Sequence, residues 1–174
     1  MIVTRRTLIG SIPVLGLAAC TTSTTNGVTT VTLNVQQVQL WATALVNASN
    51  LVASLPGIAG TAPALVVAAL GPIITADIAA FAKTAGSAVS LTFTTSSVPA
   101  AVASLETDAN ILLNDAKSVV TGVAAADLGL ATTYVNAIET VVTLLEAAVG
   151  SVPAAAKTKA LPMTEAQALA VLKK

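Results

Sequence analysis

The chain has 174 residues, of which 55% are hydrophobic, 2% aromatic and 9% charged, and its eight basic residues are balanced by eight acidic ones. So sparse and balanced a charge excludes nucleic acid as a partner, because phosphate neutralisation needs clustered Lys and Arg. With no histidine and one cysteine, the usual general base and an internal disulfide are excluded as well.

Residues 1–19 have the layout of a secretory signal. Arg5 and Arg6 supply a short basic segment, residues 8–17 an apolar run, and small residues precede Cys20. The run is shorter than the roughly 20 residues that a membrane span needs, and Pro13 interrupts it. Leu17-Ala18-Ala19-Cys20 resembles the lipobox of bacterial lipoproteins. The resemblance implies cleavage before Cys20, a diacylglycerol on its sulfur and acylation of the new N-terminus. The thiolate is the nucleophile such a reaction requires. At about 0.8 kcal/mol per buried methylene, two or three acyl chains hold a protein on a bilayer. Thr4-Arg5-Arg6-Thr7-Leu8-Ile9 is similar to a twin-arginine export signal, with Gly10 where a lysine is often found. A plain export leader containing two arginines is the alternative. Thr21, in place of an aspartate after the cysteine, resembles the outer-membrane default of enteric lipoproteins. Together these resemblances imply a bacterial envelope protein facing the periplasm, with the membrane as its partner through acyl chains on Cys20.

Loss of residues 1–19 leaves 155 residues with a formal charge of −2, enough for one domain that buries roughly 70% of its unfolded surface. Between Arg6 and Asp77 the only ionisable side chain is Cys20. So few titratable groups predict a stability that changes little between about pH 4.5 and pH 7.

Residues 20–32, rich in threonine, read as a flexible lipidated tether reaching roughly 20 Å. Their Val/Thr alternation suits a short strand, for which no partner is evident. Four long helical segments make up residues 33–152. The first, over residues 33–54, carries Val31, Val35, Val38, Ala42, Leu45, Ser49 and Val52 at spacings of four and three, one helix face. The second, over residues 63–86, has Thr61 as its cap and Pro63 in its first turn. Leu65, Val66, Val67, Leu70, Ile73, Ile74, Ile78 and Phe81 make it apolar almost all round, so it is expected at the centre. Pro72, lacking a donor, is expected to kink it. Residues 91–95 read as a β-prone connector. The third helix starts from a cap at Ser96 or Ser97, runs to about residue 121 and has the cleanest seam, from Val98 through Val102, Leu105, Ala109, Leu112 and Ala116 to Val119. The fourth spans residues 124–149 with Ala131, Tyr134, Ile138, Val141, Leu145 and Ala148 as its stripe, and ends at Gly150. Residues 153–174 read as linker and a short tail helix opened by Thr164-Glu165. The expected fold is all-α, a four-helix bundle with a central apolar helix, a flexible N-terminal tether and a short C-terminal helix.

No constellation for catalysis emerges. Glu106 and Asp108 are two apart and diverge; Asp108 and Asp115 share a face but lie about 10 Å apart, and read as a solvated surface with no raised pKa. Lys117, near Asp115 and Asn114, reads as surface. Lys83, the one lysine of the apolar half, suits the C-terminal dipole of the second helix better than a Ser–Lys dyad. No spacing gathers metal ligands, and no cofactor is expected. Residues 58–76 are uncharged, but two prolines and the absence of flanking cations make a poor membrane span. Trp41 reads as a partly buried core edge or as an anchor, at a membrane interface or in a partner's pocket; Tyr134 reads as core with its hydroxyl at the rim. The expectation is a non-catalytic scaffold or interaction module, self-associating or bound to an envelope partner. A carrier of an apolar ligand and a membrane-active helical protein are the alternatives.

Overall fold

A computed structural model describes residues 20–25, 27–150 and 161–173. The leader with Arg5 and Arg6, and linker residues 151–160, lie outside the described residues. The elements are β1 (Cys20–Thr25), β2 (Val28–Asn34), α1 (Val35–Ala53), α2 (Ala62–Ala85), β3 (Ser90–Thr94), α3 (Ala100–Val120), α4 (Leu128–Val149) and α5 (Glu165–Leu172). The chain is mostly helical, but it is not all-α.

Residues expected to be a tether form an antiparallel hairpin, and β3 completes a sheet of order β1-β2-β3. The register places Val31 opposite Phe93 and Leu33 opposite Leu91. Alternation then decides the faces: Val31, Leu33 and Phe93 are buried against the helices, while the outward Thr32 and Thr92 hydroxyls meet at 3.1 Å. The Val/Thr run thus has two partners, β1 just before it in the chain and the β-prone connector about 60 residues away. At the hairpin, Thr25 pairs with Val28 and Gly27 takes φ +78°, a left-handed conformation that favours glycine. In β1, Thr21 to Thr25 are all exposed, so this edge strand adds backbone pairing and little core.

α1 begins where the Asn34 carboxamide accepts the Gln37 N–H at 3.1 Å, an N-cap that satisfies an orphan donor. It is the centre of the molecule: it packs against α2, α3, α4, α5 and β2. Six of the seven expected positions lie on α1 and are buried, and Trp41, Ala44 and Ala48 join them, whereas the seventh, Val31, belongs to β2. The small residues allow close approach. Gly71 of α2 sits over Ser49 so tightly that a Cβ there would lie 2.7 Å from Ser49 Oγ.

α2 is therefore not the central helix. Its main neighbours are α1 and α3, which cover only the side bearing Ala64, Val67, Leu70, Gly71, Ile74, Phe81 and Ala85. Its start follows the expectation, with Thr61 Oγ1 accepting the Ala64 N–H at 3.4 Å. It runs as one helix through Pro72. α3 differs at its N-terminus: Pro99, not Ser96 or Ser97, holds the cap position, with no side-chain bond. The serines instead close the turn from β3, where the Ser97 N–H donates to the Thr94 carbonyl at 2.9 Å. From Val102 to Val119 every expected α3 seam residue is buried. α4 starts at Leu128 and ends at Gly150, whose φ is +81°. A Cβ at Gly150 would meet Val31 and Thr95 at 3.2 and 3.3 Å, where the end of α4 meets the sheet. α5 opens with a capping box in which Thr164 and Gln167 each satisfy the other's backbone N–H, and it docks on α4 and α1.

Candidate functional site

The outward side of α2 is the least expected surface of the molecule. Ala62, Val66, Ala69, Ile73, Ala76, Ala80 and Lys83 recur at spacings of four and three, all exposed, with Leu65 and Pro72 beside them. Leu65 is 61% exposed, Val66 54% and Ile73 46%. Only 33% of the most apolar 18-residue window of α2 is buried, against 50% in α4. By length and composition both helices are long enough to cross a membrane. Isolated exposed apolar residues are ordinary, but a continuous helix face marks a contact surface. The sequence shows α2 to be apolar all round, and nothing in that pattern says which side α1 and α3 leave bare.

A second feature ties α2 to α3. Ser104 Oγ donates to Asp77 Oδ1 at 2.7 Å, while Asp77 Oδ2 is buried with no hydrogen-bond partner among ordinary donors. Asp108 stands next to it. Loss of solvent, then a hydrogen bond to Asp77 and the Asp77 charge, push Asp108 up to about 6 from an ordinary 3.8. A proton on Asp108 supplies the donor that the buried Asp77 oxygen lacks. The expectation of an unperturbed Asp108 facing Asp115 is thus corrected: its partner lies on another helix. Asp108 is thus the group from which a modest pH dependence is expected. Asp77, the first charge after some seventy uncharged positions, was the available signal.

Lys117 also finds its partner across helices, Nζ lying 3.2 Å from Glu139 of α4. At 46% side-chain exposure for Lys117, this pair adds little stability. Lys83 is exposed near the C-terminus of α2, as the dipole argument expects.

Trp41 is wholly buried, which removes it as a surface anchor. Its indole Nε1 donates to Glu165 Oε1 at 2.8 Å, and the Gln37 carboxamide donates to the same oxygen. Trp41 thus fixes the chain's own α5 rather than a foreign partner. Tyr134 is half-buried against the core. Cys20 opens β1, paired with Leu33; one residue on, Asn34 caps α1, and the Val35 N–H donates to the Val89 carbonyl at 3.0 Å. Cys20 thus lies near the N-terminus of α1 and the chain following α2.

A shallow cavity of about 320 Å³ is lined by Asn47, Asn50, Leu51, Ser54 and Lys173. Among the described residues no three His, Cys, Asp or Glu side chains gather at a potential metal site. No family model matches the chain, and neither a curated protein nor a solved structure shows significant similarity to it.

Proposed function

We propose that this chain is an exported lipoprotein of a bacterial envelope, held on the membrane through acyl chains on Cys20, whose body is a non-catalytic interaction module. In this reading Arg5 and Arg6 belong to the export signal, and α1 to α4 act as a four-helix bundle to which sheet and α5 are accessory. The observation that carries the interaction role is the bare apolar face of α2. The leader and Leu17-Ala18-Ala19-Cys20 support the address. The absence of histidine from the sequence supports a non-catalytic body.

The test is the fate of residue 20 in a bacterial host. Membrane-fraction protein should begin at Cys20 and carry the mass of diacylglycerol and acyl groups, and Cys20→Ser should remain uncleaved and unacylated. An unmodified Cys20 in a soluble mature protein would refute the reading. A second reading, insertion of α2 into the bilayer, draws on the same face. Leakage of dye-loaded liposomes on adding the unlipidated body supports that alternative, and intact liposomes oppose it.

A further inference from the structure

We draw no further inference here: the strongest candidate, the exposed apolar face of α2 that runs along Val66, Ala69 and Ile73, is an unpartnered helix face, and nothing in the structure shows what covers it.

Discussion

At the scale of single residues, two close contacts determine what the helices tolerate. Ser49 is fully buried and donates to the Val46 carbonyl at 2.8 Å, so it has little freedom to retreat from a new methyl on Gly71. Gly71→Ala gains about 1 kcal/mol of helix propensity but loses about 1–3 kcal/mol to overpacking. It should lower the denaturation midpoint, and Ser49→Ala in the same chain should restore it to the parent value or above. Chemical denaturation of the double-mutant cycle checks both signs. The Asp77–Asp108 pair has its own signature. Because Asp108 is raised in the folded state, the native chain binds more protons than the unfolded one between pH 3.8 and about 6. Stability from this pair is therefore complete below pH 3.8 and is lost as pH rises through about 6. Asp108 is partly solvated, so the loss should be about 1 kcal/mol, or roughly 2–4 °C. Asp108→Asn should flatten melting temperature against pH over that window; an unchanged slope would contradict the shared proton. Neither contact was legible beforehand. Each joins residues of different helices, and a one-helix periodicity contains no information about the register between two.

At the scale of elements, the helices that could be oriented from the sequence were those with one apolar face. Val38, Ala42, Leu45 and Val52 in α1 and Leu105, Ala109, Leu112 and Ala116 in α3 follow their seams inward. α2 offers no such vector. With apolar residues on every side, its hydrophobicity was read as centrality, although packing buries only the side over Gly71. The sheet is hard to see from the sequence because β1 is polar on both faces and the second partner of β2, β3, lies far along the chain. Asn26-Gly27 between two Thr/Val runs was the local signal for a two-residue turn. α5 yields a cleaner test, since Trp41 is the sole tryptophan. Glu165→Ala leaves a buried indole N–H without an acceptor, at a cost of about 1–3 kcal/mol. Its expected result is a red-shifted Trp41 emission and detachment of α5, whereas Glu165→Gln, which keeps an acceptor oxygen, should retain most of the parent spectrum.

At the scale of the molecule, stability should be graded outward from α1. Amides of Ala42, Leu45 and Ala48 open only with global unfolding, whereas those of Thr21 to Thr25 exchange by local fraying of an exposed edge. Hydrogen exchange followed by mass spectrometry should rank α1 slowest and β1 fastest; equal protection would show that the hairpin belongs to the cooperative core.

The placement of β1 also bears on the order of events during maturation. In the lipoprotein we propose, a peptidase cutting before residue 20 would have to hold the residues just after the bond, which are those that pair with β2. Since Thr21 to Thr25 leave no buried side chain behind when they peel away, the strand can yield to the enzyme without disturbing the interior. In the lipoprotein we propose, the closed strand would join acyl chains on Cys20 directly to the domain wall, so that a push on the bilayer would be felt by the helices.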